Sequence, residues 1–217
     1  VLVGKRLGYG KEQMAPHNLT LTLIGVGMSW VGWFGFNAGS AGAADGRAGM
    51  AMVTTQVATA GGVLAWMLGD NVFGDKASAL GLASGALSGL VGITPAAGFV
   101  APVPALVIGI LTAVVCYFSV TKLKILLKYD DSMDAFGIHG IGGMVGAVLT
   151  GVFVSTTISG ASVNWLAQIE GIVITVLYSG IVSLVLLKII DKTMGLRVDA
   201  DEERQGLDIS SHGERIE

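Results

Sequence analysis

Long apolar stretches separated by short polar connections dominate the chain. A helix that crosses a lipid bilayer needs ~20 mostly apolar residues, and six stretches approach that length: residues 19–38, 49–72, 77–94, 99–123, 136–156 and 165–190. The third is short and glycine-rich, and its place rests partly on neighbours that must connect through it. The pattern predicts an all-α fold, a polytopic transmembrane helical bundle. Residues 1–18 read as the end of a preceding helix and a cytoplasmic loop, 19–192 as the six transmembrane helices, and 193–217 as a cytoplasmic C-terminal tail.

Basic residues sharpen the topology, because Lys and Arg are retained on the cytoplasmic side of short loops. Lys5, Arg6 and Lys11 precede the first stretch and Lys76 follows the second. Lys122, Lys124 and Lys128 follow the fourth, and Lys188, Lys192, Arg197, Arg204 and Arg215 follow the sixth. These are alternate connections, so they lie on one side; Arg47 alone falls on the other. The chain start and the tail are therefore placed in the cytoplasm. Val1-Leu2-Val3-Gly4 followed by Lys5-Arg6, with no initiator methionine, reads as the end of an earlier span of a longer polypeptide.

Composition agrees with a membrane class: 52% hydrophobic residues and 13% charged, with a mean hydropathy of +0.70, where a soluble domain carries about 25% charge. The net charge of −3 hides an acidic tail, since residues 199–217 hold seven acids and two arginines. Gly81, Gly85 and Gly89 stand four apart, as do Gly142 and Gly146, a spacing that lines one helix face with small residues and permits close backbone approach. Pro95, Pro102 and Pro104 bracket a non-cytoplasmic connection where unpaired backbone is tolerable. The single cysteine, Cys116, cannot form an intramolecular disulfide and is expected to pack as a small hydrophobe.

Ionisable groups at membrane depth are costly and therefore few. His139 lies four residues into a run otherwise made of apolar residues and glycine; a neutral core histidine bonded to a neighbouring helix and a pore-lining imidazole are both open readings. Asp134 can cap the start of the same helix through its carboxylate. Glu170 and Gln168, near Trp165, suit anchoring or inter-helix bonding. At the end of the first stretch Trp33, Phe36 and Ser40 share one helix face. That face is either an interfacial aromatic belt or a cation-recognition pocket built from ring faces and a hydroxyl. No catalytic set, metal-ligand spacing or phosphate loop is present, so neither an enzyme nor a cofactor is expected. A pI near 5.6 gives no support to nucleic-acid binding.

Four segments carry a specific resemblance: G-W-F-G-F-N-A-G-S at 32–40, S-G-A-L-S-G-L-V-G-I-T-P at 84–95, D-A-F-G-I-H-G-I-G-G at 134–143, and the tail G-L-R-V at 195–198 with G-L-D-I-S-S-H-G-E at 206–214. In this order they resemble the ammonium transporter (Amt/Mep/Rh) family, in its bacterial or archaeal Amt branch, over practically the whole chain. The resemblance implies an eleven-helix, inverted-repeat subunit of a homotrimer in the plasma (inner) membrane, of which this chain is the C-terminal half, helices six to eleven plus the tail. It further implies that Ser40 and Phe36 belong to an external recruitment site and gate, that Trp33 lines the pore, and that His139 is one member of a twin-histidine pair. Asn37 belongs to the same motif, Asp134 is the acid near the histidine-bearing helix, and Ser84 faces the cytoplasmic half of the pore. The partner histidine and the rest of the gate would lie upstream of Val1. Ammonium would be deprotonated and conducted as ammonia, with a PII-type regulator as a possible partner at the tail. An ammonium-sensing receptor of the same fold with little flux is the alternative, against which the ending at Glu217 without a further domain is read. A neutral-solute channel of unrelated fold would have to meet all four motifs by chance.

Overall fold

The computed structural model describes residues 2–12, 14–74 and 76–214. Val1, Arg215 and Glu217, which entered the reading of the chain ends and of the basic residues, lie outside the described residues. Among those described, the regular structure is helical throughout: α1 Leu19–Gly39, α2 Gly46–Phe73, α3 Ala79–Ile93, α4 Pro102–Leu127, α5 Phe136–Phe153, α6 Thr156–Ser159, α7 Trp165–Thr193, α8 Ala200–Gln205 and α9 Leu207–His212. Each predicted stretch is a helix with ends within four residues of those expected. Local chemistry sets the starts. Asn18 accepts from the Leu21 N–H at 2.9 Å, Asp45 accepts from Arg47 and Ala48 at 3.0 Å each, and Ser78 accepts from Gly81 at 2.9 Å. These are side-chain caps on free backbone donors. Helix α4 instead begins on Pro102, whose fixed φ suits the first helical turn.

Five of the six long apolar helices have the length and composition to cross a membrane; α3, with 15 residues, does not. At 1.5 Å per residue it is about 22 Å long, against a hydrocarbon core of about 30 Å. Among the described residues six apolar helices are present as expected, and the third is the short one, as its sequence indicated. The physical reason is a buried turn: beyond Thr94 the chain leaves the helix but stays in the interior, with Ala96, Ala97 and Val100 buried. Ala96 and Ala97 donate to the Ile93 carbonyl at 2.8 Å, Phe99 donates to Ala96 at 2.9 Å, and Ser155 donates to Phe99 at 2.8 Å. The connection holding Pro95 is thus paired and packed rather than left with open backbone, and burial in protein is one of the two settings in which non-helical chain is tolerated at depth.

The residues form two compact units, Pro16–Ile172 and Val1–Ala15 with Val173–Glu217. In the first, α2 packs on α3 and α4, and α5 packs on both of the latter. Small residues make those approaches possible. A Cβ on Gly85 would stand 2.6 Å from the Trp66 Cβ and 2.7 Å from the Gly62 oxygen, and one on Gly89 would stand 2.7 Å from the Thr59 Cα. A Cβ on Gly146 would strike the Gly92 carbonyl oxygen. The four-residue glycine spacings therefore mark the α2–α3 contact and the seat of α5 on both α3 and α4, a Cβ on Gly142 standing 2.9 Å from Cys116 Sγ. Cys116 is free and fully buried, in a cluster with Trp66 and Tyr117.

In the second unit the segment before α1 meets the tail. Glu203 accepts from the Leu7 N–H at 2.8 Å and takes a two-toothed contact from Arg197, with both N–O distances 2.8 Å. Arg197 also donates to the Val3 carbonyl at 3.4 Å. The Leu7 bond first, and then Arg197, hold the Glu203 carboxyl below the usual carboxylate range.

Candidate functional site

Helix α1 sorts its end residues by face. Asn37 is 2% exposed while Phe36 is 62% exposed, so neighbours in sequence have opposite surroundings. The Asn37 Nδ2 donates to Thr55 Oγ1 on α2 at 2.9 Å, and the Thr55 hydroxyl passes its own hydrogen to the Ala51 carbonyl at 2.6 Å. Trp33, half-buried one turn earlier, donates its indole N–H to Thr94 Oγ1 at 2.8 Å. Two side-chain bonds thus tie α1 to α2 and to the end of α3.

The outward side of this pinned helix carries the rings. Trp33 lies edge-to-face with Phe36, centroids 6.2 Å apart at 71°, and near-parallel to the imidazole of His139, centroids 6.2 Å apart at 20°. An edge-to-face pair and an offset stack are the two arrangements aromatic quadrupoles favour. Ser40 is exposed one turn beyond Phe36, its hydroxyl donating to the Phe36 carbonyl at 3.0 Å. Because the Trp33 N–H is occupied by Thr94, the indole offers neighbours a ring face and no donor.

His139 owes its position to an irregular helix start. Residues Phe136–Gly140 form a π-helical turn, a rare local widening that often accompanies function. Its front is capped by Asp131, whose carboxylate accepts from Ala135, Phe136 and Gly137 at 3.0, 2.9 and 3.3 Å. Asp134 was expected to supply that cap through its side chain and does not. Its backbone is left-handed, at φ 54°, and its carboxylate pairs with Lys124 of α4, while its carbonyl accepts from Ile138 at 2.8 Å. A second π turn, Ser119–Leu123, packs against the first: a Cβ on Gly137 would lie 2.9 Å from Val120 Cγ2.

The structure therefore brings Trp33, Phe36 and His139 into one ring cluster, with Ser40 on the next turn. Asn37 is a buried pin behind it. Ser84 sits on α3, its hydroxyl donating to the Leu80 carbonyl at 3.0 Å, and Asp134 belongs to the capping region of α5. Three residues that the sequence did not single out contribute: Thr94, Thr55 and Asp131. Thr94 lies inside one of the four motifs and Asp131 is the second of two adjacent acids, Asp130-Asp131, whereas the π turn has no sequence mark.

Chemically, the cluster presents two aromatic rings and one imidazole, with the Ser40 hydroxyl a turn away. Such a cluster attracts a cation by its ring quadrupoles at the Phe36 end and offers proton exchange at the His139 end. No cluster of three or more metal-ligating side chains occurs among the described residues.

Comparison with known proteins gives this geometry a context. The family described as Ammonium Transporter Family matches residues 1–216. An ammonium transporter of Aquifex aeolicus is 45% identical over 217 residues, covering 96% of this chain and 51% of the relative. The crystal structure of Saccharomyces cerevisiae Mep2 superposes with a TM-score of 0.79 at 38% identity, covering 88% of this chain and 46% of that one. A sensor Amt protein superposes with a TM-score of 0.88 at 26% identity, covering 96% and 54%. The chain spans about half the length of the curated relatives it matches.

Proposed function

The chain belongs to the ammonium transporter family, whose members are membrane transport proteins, and on that premise we propose that it is the C-terminal half of a subunit that moves ammonium across the plasma membrane. The observation that carries this reading is the near-parallel stack of Trp33 on His139 beside the exposed Phe36. Ammonium is recruited at the end of α1 by the Phe36 ring face and the Ser40 hydroxyl, together with groups from the half-subunit that precedes this chain. It then loses its proton. The neutral ammonia passes Trp33 and His139, the latter paired with a histidine of the preceding half, and leaves past Ser84 towards the cytoplasm.

The physical reason for deprotonation is desolvation. Taking an intact cation through a narrow apolar path costs tens of kcal/mol in the bare Born limit, and giving up a proton removes most of that. Potassium has no proton to give and is refused. In this reading residues 1–18 are the cytoplasmic connection, 19–192 the membrane region, and 193–217 a cytoplasmic tail open to a PII-type regulator, with three subunits to an assembly. His139 is exposed in the chain alone, as a residue that meets the other half of its own subunit must be.

The test is reconstitution of the full-length subunit in liposomes. Ammonium should evoke a current or an internal pH change that potassium does not, and His139→Leu should abolish or reshape that discrimination. Unchanged uptake and selectivity in His139→Leu would refute the role given to the imidazole. Likeness to a sensor Amt protein supports a second reading, in which ammonium binds without appreciable flux; saturable binding with no evoked current would favour it.

A further inference from the structure

Thr94 caps the C-terminal end of α3 with helical dihedrals, φ −49° and ψ −49°, directly before Pro95. The residue before a proline is normally pushed out of the helical region by the ring Cδ, so this position adopts a locally disfavoured conformation that its surroundings impose. Its hydroxyl has a single hydrogen, which goes to the Leu90 carbonyl at 2.8 Å. The oxygen lone pairs are therefore left for a donor, and the donor is the Trp33 N–H at 2.8 Å. Indole nitrogen only donates, so the sense of every bond in the chain Trp33 to Thr94 to Leu90 is fixed.

That relay has a geometric consequence. A tryptophan ring held only by packing can turn over about its Cβ–Cγ bond, exchanging the position of its N–H for that of a carbon edge. Such a half-turn leaves the ring plane where it was but carries the bulk of the indole across the Cβ–Cγ axis, so the bond to Thr94 selects the orientation in which the ring centroid lies 6.2 Å from that of the His139 imidazole. Asn37, one turn further along α1, bonds Thr55 of α2 and fixes the helix rather than the ring. We infer that Thr94 is a positioning residue of the conduction path, its hydroxyl setting the Trp33 indole in the orientation that faces His139. The inference rests on the transport reading for its functional consequence and on the Trp33 bond alone for its structural one.

The test uses the reconstituted full-length subunit with Thr94→Val, which keeps the shape and removes the acceptor, and Thr94→Ser, which keeps the hydroxyl. Two readouts are taken: ammonium transport rates, split into kcat and KM, and the indole ¹H–¹⁵N resonance of Trp33. For Thr94→Val, kcat should fall about tenfold, the equivalent of one lost hydrogen bond. KM should change less than about twofold, because recruitment at Phe36 and Ser40 is separate. The Trp33 resonance should move towards the non-bonded range, and Thr94→Ser should restore both. An unmoved Trp33 resonance in Thr94→Val, or a Thr94→Ser variant as slow as Thr94→Val, overturns the inference. If the unaltered protein carries no flux, the transport reading fails by itself, and the indole resonance still decides whether Thr94 sets the ring.

Discussion

The ammonium group of Lys124 pairs with the carboxylate of Asp134, joining the π-turn region of α4 to the loop that enters α5. Asp134 is thereby engaged away from the helix start, and the cap falls to Asp131 three residues earlier. One carboxylate serves three backbone donors there, so its loss exposes more than an ordinary cap would. Asp131→Ala should cost about 1–2 kcal/mol of stability, with hydrogen exchange at Ala135, Phe136 and Gly137 accelerating most. Asp131→Asn, which keeps an acceptor oxygen, should lie in between. Lys124→Met should cost less, up to about 1 kcal/mol, since both partners of its ion pair keep some solvent contact.

Close helix approach makes two glycines intolerant of even one methyl group. Gly85→Ala would press on the Trp66 Cβ and the Gly62 oxygen, and Gly146→Ala on the Gly92 backbone. Backbone cannot swing aside as a side-chain end can, so each substitution should destabilise by about 1–3 kcal/mol. The two contacts share no residues, and the double variant should show nearly additive losses. Thermal unfolding of the detergent-solubilised protein measures all three.

Hydrophobic pattern made the helices legible because a membrane span is a long, strongly biased signal, whereas the capping residues Asn18, Asp45 and Ser78 came only with the structure. At α3 the end itself was legible, residue 94 expected and Ile93 found; what was not legible is that the chain beyond it stays buried. The apolar run continues through Thr94 and Pro95 into a buried turn, and hydropathy cannot tell buried helix from buried turn. At the site, the Trp33, Phe36 and Ser40 face followed from helical spacing, and His139 from its isolation. What escaped were relations between distant residues: Thr94 with Trp33, Thr55 with Asn37, and the exchange of roles between Asp131 and Asp134. A π turn shifts register by one residue without any compositional trace, so the acid nearer in sequence was credited with the work of the farther one.

Acid should loosen the contact between the segment before α1 and the tail. The Glu203 carboxyl is held below its ordinary range by the Leu7 N–H and by Arg197. A group whose folded value is depressed contributes stability that is fully present above its unfolded value and is lost as pH falls through the folded one. Protection of the Leu7 amide in hydrogen exchange should therefore be steady through neutral pH and decline as the solution is taken into and below the carboxylate range. Glu203→Gln should weaken the contact at neutral pH and flatten that decline, because the amide keeps an acceptor but has no proton to gain. An Arg197→Lys variant should weaken it also, since a lysine cannot reproduce the two-toothed contact.

Asn37 offers the sharpest contrast between two small changes. Its Nδ2 donates to Thr55 Oγ1, whose own hydrogen is engaged by the Ala51 carbonyl, while its Oδ1 is buried and finds no hydrogen-bond partner among the described residues. Asn37→Ala removes the donor and leaves Thr55 with its bond to Ala51, so the loss should be about 1–2 kcal/mol. Asn37→Asp places a carboxylate where Thr55 has no hydrogen to give, and a buried, unpaired charge costs more, about 3–5 kcal/mol. The penalty is present at neutral pH and fades as acid protonates the introduced carboxyl, at which point it can donate to Thr55 as asparagine does. Melting temperatures should accordingly rank the original protein above Asn37→Ala above Asn37→Asp at neutral pH, with the gap between the two variants closing in acid. If the aspartate variant were the more stable at neutral pH, the site would have to hold a donor or a cation facing Oδ1, and the buried-pin account of Asn37 would be wrong.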